Sequence, residues 1–356
     1  MKKRIAGAVL AAALLRVAVL AGAGEAVGSW ITEHSGDGRL FSAVMDAEPD
    51  GAAAEVTPPP TQVPQTVPTV QEEQTLLLVE VKPTAAPEPE AAPDAVPSAP
   101  PAEVVPADLS AGAVQINDRT ALGTDFSALA AEGLSLTLPA EQPQVLIFHT
   151  HSSEAYTPDG ADVYEASDPY RTEDKTHSVI RVGDALAETL ESCGLTVLHD
   201  REIYDYPSYT GSYGRSGAAV ERYLAEYPSI RVVIDLHRDA LGSGDTVYKT
   251  KASVDGRTSA QVMMVVGSGE NGLWHPNWRE NLKLAMYLQD AMNTRCPSLA
   301  RPIELVSERY NQQLSTGMLI LEVGSNGNTL REAITAAELF GASAGPALAA
   351  LIEQSD

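Results

Sequence analysis

The chain has 356 residues, a formal net charge of -24 at pH 7 and two cysteines, Cys193 and Cys296. A chain this acidic has no basic field to attract a polyanion, so we expect no nucleic-acid partner. Two cysteines suit neither a disulfide framework nor a cysteine-rich metal site, and we expect them to be buried as small apolar side chains. A single disulfide between them is the alternative.

The first 28 residues have the pattern of an export segment. Residues 1–4 carry the positive charges of Lys2, Lys3 and Arg4, and residues 5–24 are apolar apart from Arg16. This pattern suits an uncleaved membrane anchor or a cleaved secretory signal. We expect the anchor. The protein would then be single-pass in the cell membrane, with its catalytic domain extracytoplasmic.

Residues 29–111 are rich in proline, alanine and glutamate. Such a composition cannot bury enough apolar surface to offset the entropy of ordering, which predicts an extended, disordered linker. The apolar run Leu76–Val81 interrupts this linker and is a candidate docking strand. From residue 112 to residue 356 the pattern becomes globular, and we expect one catalytic domain there.

Within residues 112–356, short apolar runs alternate with segments of helical spacing. Strands are predicted at residues 145–148, 195–198, 232–236, 261–266 and 318–323, and helices at 178–192, 218–227, 281–293 and 330–339. Alternating strands and helices favour an α/β fold, with a mostly parallel sheet flanked by helices.

Ionisable residues follow or end three of these strands. They are His149, His151, Glu154, His237, Arg238 and Glu322. The carboxyl ends of parallel strands share one edge of a sheet, and such edges are where α/β sheets bind ligands. Imidazole and carboxylate groups bind zinc and activate its water, so we predict a Zn2+ site at this edge.

The first histidine pair leaves one question open. His149 and His151 lie two positions apart, so on a continued strand they would point to the same side. We expect one of them to bind the metal and the other to orient a neighbour or the substrate. Glu154 is near enough for a short loop to fold it back as an oxygen ligand. The alternative is a polar strand end with incidental histidines.

The other two strands predict the remaining groups. We expect His237 to bind the metal and Asp235 to accept a hydrogen bond from its second ring nitrogen. Arg238 is expected to stabilise an oxyanion or hold a substrate carboxylate, although a surface salt-bridge cluster is the alternative. Glu322 lies in an apolar run, where an unpaired carboxylate needs a partner or a function. We expect a general base with a raised pKa, or else an ion pair with Arg238 or Arg331.

Four tyrosines cluster between the second strand and the second helix: Tyr204, Tyr206, Tyr209 and Tyr213. They are candidates to line a glycan or peptide groove. A solvated loop explains them nearly as well.

The motifs taken together resemble the stage II sporulation protein P family. The segments that carry the resemblance are His149–Tyr156, Ser212–Ser216, Asp235–Ala240 and Leu321–Asn328. The resemblance implies a fold and chemistry similar to those of zinc N-acetylmuramoyl-L-alanine amidases, with peptidoglycan as the substrate. It also implies a role in forespore engulfment, with stage II sporulation proteins D and M as partners.

The same resemblance assigns roles residue by residue. The family's histidine motifs correspond to His149, His151 and His237, and its catalytic glutamate to Glu322. Related amidases take a carboxylate ligand from the start of their first helix, where this chain has no glutamate, so Glu154 is our candidate and His177 the alternative. Two rival functions remain: a metal-free peptidoglycan-binding scaffold, and a zinc endopeptidase acting on peptide cross-links.

Overall fold

The computed structural model describes residues 78–81, 114–243 and 246–353, which all belong to one unit, Glu73–Asp356. The predicted anchor (1–28) lies outside the described residues, and so does the predicted linker (29–111) apart from residues 78–81. Both therefore stay predictions. Among the described residues, no helix is both long enough and apolar enough to cross a membrane.

Helices and strands alternate along most of the described chain. In chain order they are β1 (Leu78–Val81), β2 (Ile116–Asp118), α1 (Phe126–Glu132), β3 (Val145–Phe148), α2 (Val179–Ser192), β4 (Val197–His199), α3 (Ser212–Glu226), β5 (Val232–Asp239), β6 (Gly242–Ser243), β7 (Thr246–Thr250), β8 (Ala252–Val254), β9 (Arg257–Ser259), β10 (Val262–Gly267), α4 (Trp278–Arg295), β11 (Ile303–Val306), a 3-10 turn (Gln312–Leu314), β12 (Met318–Ser325) and α5 (Leu330–Ala349).

A seven-stranded sheet forms the centre of the fold, in the order β2-β11-β10-β12-β5-β3-β4. Five of its six neighbouring pairs are parallel, and β10 and β12 form the antiparallel pair. The predicted α/β fold with flanking helices is confirmed. The sheet is mixed, because β10 reverses the direction of the strands beyond β12.

Alternation of side chains along each strand divides the core into two layers. Val145 and Ile147 of β3 face one side, where they pack in the main core cluster with residues of α2, α4 and α5. Leu146 and Phe148 face the other side and pack in a smaller cluster with Val220 of α3. The same parity decides which ionisable side chains at the strand ends face α3.

Helix α2 begins as predicted. The side chain of Ser178 accepts a hydrogen bond from the Ile180 N–H, which satisfies one of the free donors at the start of the helix. Helix α3 begins at Ser212, six residues before the predicted start, directly after Gly211 in the left-handed conformation (φ 81°). This longer helix carries Tyr213 up to the sheet edge.

The structure also shows the fate of the predicted docking run and of the two cysteines. Strand β1 lies within the predicted docking run and pairs antiparallel with β7, from Leu78 opposite Thr250 to Val81 opposite Val247. Cys193 and Cys296 are free thiols, the first half-buried and the second buried. The disulfide alternative is therefore wrong.

Candidate active site

Strands β12, β5 and β3 are neighbours that run parallel, so their carboxyl ends lie side by side. The register places Glu322 opposite His237 and Phe148 opposite Asp235. The turn after β3 brings the His151 ring to 5.1 Å from the His237 ring, in an edge-to-face arrangement. Residues far apart in the chain thus meet at one edge of the sheet.

Two carboxylates flank His237. Its Nδ1 lies 3.5 Å from Glu154 Oε2, and its Nε2 lies 2.8 Å from Asp235 Oδ1. The 2.8 Å contact pairs the His237 ring with the Asp235 carboxylate. Burial by itself would lower the pKa of His237, but Asp235 and Glu154 raise that pKa well above its usual value.

Asp235 is itself held in place by the start of the turn after β3. Its Oδ1 accepts a hydrogen bond from the Thr150 N–H (2.8 Å), and its Oδ2 accepts one from the Thr150 hydroxyl (2.7 Å). A carboxylate fixed in this way can hold the orientation of a neighbouring imidazole. Asp235 therefore ties the turn that carries His151 to the strand that carries His237.

The loop after β3 folds Glu154 back towards His237, as predicted. The Glu154 N–H donates to the His151 carbonyl (3.1 Å), and Glu154 Oε2 accepts from the Arg238 backbone N–H (3.2 Å). Burial alone would raise the pKa of Glu154, but Arg238 and His237 lower it well below its usual range. Glu154 is therefore an ionised oxygen donor at neutral pH.

His151 is buried beneath the tyrosine loop. Its ring stacks on Tyr209 at 4.4 Å, and its Nε2 lies 2.9 Å from the Tyr209 hydroxyl. Burial, with a smaller contribution from the charge of His237, lowers the pKa of His151 to about 3. The ring is therefore neutral at pH 7, which is the form of histidine that binds metals.

His149 lies away from this cluster, against α2. Its Nδ1 lies 2.8 Å from the Leu236 carbonyl oxygen and its Nε2 lies 2.8 Å from His199 Nε2, so both ring nitrogens are engaged. His149 and His151 do not lie on a continued strand, because β3 ends at Phe148 and the chain turns there. Of the two, the structure brings His151 to His237.

Arg238 alternates with His237 along β5 and faces away from α3. Its Nε donates to the Ala155 carbonyl (2.9 Å) and its Nη2 to the Tyr170 carbonyl (3.0 Å). These bonds hold the loop that carries Glu154. The predicted contact of Arg238 with an oxyanion stays a prediction, whereas its observed contacts make it a positioning residue.

Glu322 makes neither of the ion pairs considered above. Within the described part of the chain no ion pair or hydrogen bond reaches its Oε2, which is buried. Burial raises the pKa of Glu322 to about 8, although the charge of His237 opposes the shift. A buried carboxylate oxygen without a partner, next to ionised groups, is a common mark of a functional site.

Two further candidates lie outside the cluster. His177 pairs with the exposed Asp174, at 2.9 Å between His177 Nδ1 and Asp174 Oδ2. The sequence also contains a Gly-x-Ser-x-Gly match at residues 341–345, the pattern of a serine-hydrolase nucleophile. It lies inside α5, where the buried Ser343 hydroxyl donates to the Leu339 carbonyl (2.8 Å), so it forms no strand-to-helix elbow.

The fit of a metal ion can be judged from the donor atoms. Within the described ranges, no group of three or more His, Cys, Asp or Glu side chains could hold a metal ion as the atoms lie. Two ligands of a tetrahedral zinc lie about 3.3 Å apart, given bonds of about 2.0–2.1 Å. Glu154 Oε2 and His237 Nδ1, 3.5 Å apart, are close to that separation. The third candidate donor, His151 Nε2, is engaged by the Tyr209 hydroxyl at 2.9 Å.

A family model described as Stage II sporulation protein P (SpoIIP) matches residues 68–343. The chain belongs to the SpoIIP family. A curated relative, Stage II sporulation protein P of Bacillus subtilis (strain 168), is 30% identical over 211 residues, which cover 55% of this chain and 50% of the relative. The chain therefore spans about half the length of that relative.

Three solved structures are similar to this SpoIIP-family chain at low levels. One is the N-acetylmuramoyl-L-alanine amidase AmiC2 of Nostoc punctiforme, with 11% identity, 60% of this chain and 96% of that chain covered, and a TM-score of 0.31. Another is the CwlD amidase from Clostridioides difficile in complex with the GerS lipoprotein, with 11% identity, 58% of this chain and 96% of that chain covered, and a TM-score of 0.35. The third is the catalytic domain of the CD27L endolysin, with 14% identity, 56% of this chain and 97% of that chain covered, and a TM-score of 0.35. These similarities do not bear on activity.

Sequence reasoning assigned no role to Arg171. It donates to Asp205 Oδ2 (2.6 Å), lies 3.4 Å from Glu154 Oε1, and stands over the Tyr209 ring at 5.0 Å from the centroid. It therefore links the carboxylate of Glu154 to the tyrosine loop. No local pattern around residue 171 indicates this role, because its partners lie on separate loops.

Proposed function

We propose that this chain is a zinc-dependent N-acetylmuramoyl-L-alanine amidase, which hydrolyses the amide bond between N-acetylmuramic acid and L-alanine in peptidoglycan. Membership of the SpoIIP family supports a role in sporulation, at engulfment of the forespore. The observation that carries the proposal is the buried, unpaired Oε2 of Glu322 beside His237, together with Glu154 and His151. This is a donor set with a proton acceptor next to it.

His151, Glu154 and His237 are the residues that would hold the zinc. The donor types fit this metal, since imidazole and ionised carboxylate are its common ligands, and His237, whose pKa is raised, would lose its proton when the metal binds. When bound, zinc supplies a Lewis acid that acidifies water and polarises a carbonyl group. Asp235 keeps the His237 ring in the required orientation, and Arg238 keeps the Glu154 loop in place.

Glu322 is the proposed general base. It accepts a proton from the attacking water and returns it to the leaving nitrogen of L-alanine. A carboxyl with a pKa raised to about 8 can hold a proton at neutral pH, as the second half of this cycle requires. A carboxylate with an ordinary pKa would be a weaker base and would accept the proton of water less readily.

The test is digestion of purified peptidoglycan by the zinc-loaded protein, with mass spectrometry of the released products. An amidase releases intact stem peptides from the glycan, whereas a cross-link endopeptidase leaves the first L-alanine attached. Elemental analysis of the same preparation measures bound zinc. Absence of both zinc and hydrolysis would overturn the proposal in favour of a peptidoglycan-binding scaffold.

Location and partners form part of the same proposal. The N-terminal segment would anchor the chain in the cell membrane with the catalytic domain outside the cytoplasm, and stage II sporulation proteins D and M would be its partners. Protease accessibility in protoplasts tests the orientation. Co-purification of the full chain with D and M from sporulating cells tests the partnership.

A further inference from the structure

Arg301 is a buried cation that the proposed hydrolysis does not use. Its backbone N–H donates to the Val262 carbonyl (2.8 Å) at the start of β10. Since β10 runs antiparallel to β12, with Val262 opposite Val323, the start of β10 lies beside the carboxyl end of β12. Arg301 therefore lies at the same sheet edge as Glu322.

The guanidinium of Arg301 is only partly used. The residue is 9% exposed, and Nη1 donates to Asp239 Oδ2 at 2.7 Å. The buried Nε–H has no partner. Within the described residues, the Nη1 bond is the one hydrogen bond that this side chain makes. Buried guanidinium donors are normally satisfied, so an unpaired Nε–H is an exception that marks a candidate functional group.

Asp239 connects Arg301 to the strand that carries His237. It lies two residues beyond His237 in β5 and forms the ion pair with Arg301. Arg301 is therefore tied to the same strand as a proposed metal ligand, at the sheet edge where Glu322 lies.

An apolar cluster lies beside Glu322 on the same face of the sheet. Met263, directly opposite Glu322 in β10, packs in this small cluster with Val265 and Ile320, and Tyr310 lies against it. Ile320 precedes Glu322 by two residues, so both face the same side. Because the three cluster residues are at most 8% exposed, Glu322 lies against an apolar part of the sheet.

We propose that Arg301 binds a carboxylate of the peptide part of the substrate. The proposal rests on the proposed function, because it takes the stem peptide as the ligand. The Nε–H and Nη2–H donors on one edge of a guanidinium match the two oxygens of a carboxylate, and lysine cannot reproduce this fork. Asp239 holds Nη1 and so orients this edge. Arg301 is a specificity-determining residue in this scheme.

The experiment compares two synthetic muropeptides that differ at the second stem residue, one with a free α-carboxylate and one with the corresponding carboxamide. Binding is measured by calorimetry on the zinc-loaded Glu322→Gln variant, and hydrolysis on the wild-type enzyme. We expect the wild type to prefer the carboxylate by about tenfold or more in kcat/KM, and Glu322→Gln to show the same preference in Kd.

In the Arg301→Gln and Arg301→Lys backgrounds, the preference should fall to near unity. The control is Arg279→Gln, which removes a surface guanidinium paired with Glu132, also at 2.7 Å, and should keep the preference. If Arg301→Gln does not fold, Arg301→Lys keeps the positive charge and tests whether the paired Nε–H and Nη2–H donors of the guanidinium are needed. A folded Arg301 variant with the wild-type preference, or a wild type without one, overturns the proposal.

The two proposals fail in different ways. If the wild type hydrolyses neither muropeptide but still binds the carboxylate form more tightly through Arg301, the amidase proposal fails and the carboxylate site stands. If hydrolysis proceeds equally on both muropeptides, the carboxylate site fails and the amidase stands.

Discussion

The ionisable residues on the two faces of the sheet edge differ in how completely their polar atoms are hydrogen-bonded. On the side of α2, His149 has both ring nitrogens engaged, and Arg238 donates to two carbonyls. On the side of α3, Glu322 Oε2 is buried and has no hydrogen-bond partner among the described residues. Buried polar atoms normally find partners, and leaving one unpaired costs about 1–3 kcal/mol. The first side therefore holds the edge together, and the second is where a ligand gains by binding.

Removing Glu322 tests the α3 side with the largest expected effect. Glu322→Gln keeps the size of the side chain but cannot accept a proton, so the hydrolysis rate should fall by roughly 10²–10⁴-fold. Stability should not fall, because the lost carboxylate had no partner. Product release from purified peptidoglycan measures the rate. Glu280→Gln, on the surface of α4, is the control, and equal activities of the two variants would remove Glu322 from the mechanism.

Removing Arg238 tests the α2 side. Arg238→Ala leaves the buried, ionised Glu154 without its main cation, so the free energy of unfolding should drop by about 3 kcal/mol. Urea unfolding measures this change. Arg279→Ala, in an exposed ion pair, should cost less than about 1 kcal/mol. Similar costs for both variants would mean that Arg238 does not hold the loop.

The close contact between His149 and α2 gives a sharper test of the same side. A Cβ on Gly183 would lie 2.6 Å from His199 Nε2 and 2.8 Å from the His149 ring. Gly183→Ala should therefore destabilise the protein by about 1–3 kcal/mol through overpacking. Gly214→Ala, in α3 with no atom within 4 Å of the added Cβ, should instead be neutral or slightly stabilising. Thermal unfolding of both variants decides the matter.

The pH dependence of stability distinguishes the two sides in the metal-free protein. Folding raises the pKa of Glu322 from 4.5 to about 8, so the folded state favours the protonated carboxyl. Its contribution is complete below pH 4.5 and is lost as the pH rises through 8. The free energy of unfolding of the wild type, relative to Glu322→Gln, should fall across this window in urea titrations. A flat or rising difference would contradict the raised pKa.

Tyr209 gives the smallest predicted effect. Its hydroxyl lies 2.9 Å from His151 Nε2, the atom that we propose for the metal. Tyr209→Phe removes this competing contact, and zinc affinity should rise by about tenfold or less. Zinc titration with a fluorescent competitor measures the change. Tyr206→Phe, also on this loop, should leave the affinity unchanged, and an unchanged Tyr209→Phe would mean that the hydroxyl does not compete.

The apolar runs predicted the strands better than the polar residues predicted their ends. Strand β5 continues to Asp239 and β12 to Ser325, beyond the apolar runs that indicated them. Asp235 and His237 are both buried in β5, where they pair with each other and His237 also pairs with Glu154. Binary patterning treats such residues as surface, so it shortens strands that lead into a site.

The histidine pair shows the same limit at single residues. The types and spacing of His149, His151, Glu154, His237 and Glu322 were enough to predict an edge with the donors of a zinc site. They were not enough to separate His149 from His151, because the turn after Phe148 depends on Thr150 bonding to Asp235. Arg301 lay outside every motif, since its importance comes from β10 running antiparallel to β12.

Sequence alone determined the α/β class and the chemical types at the sheet edge, because hydrophobic periodicity and local spacing are properties of neighbouring residues. The family followed from the resemblance of four motifs, which the family model confirms. Tertiary structure decided which side of the sheet each ionisable group faces, which buried atoms of the described residues have no partner, and which distant cation lies at the same edge as Glu322. Those properties depend on strand order and on contacts between residues far apart in the chain, which no local pattern encodes.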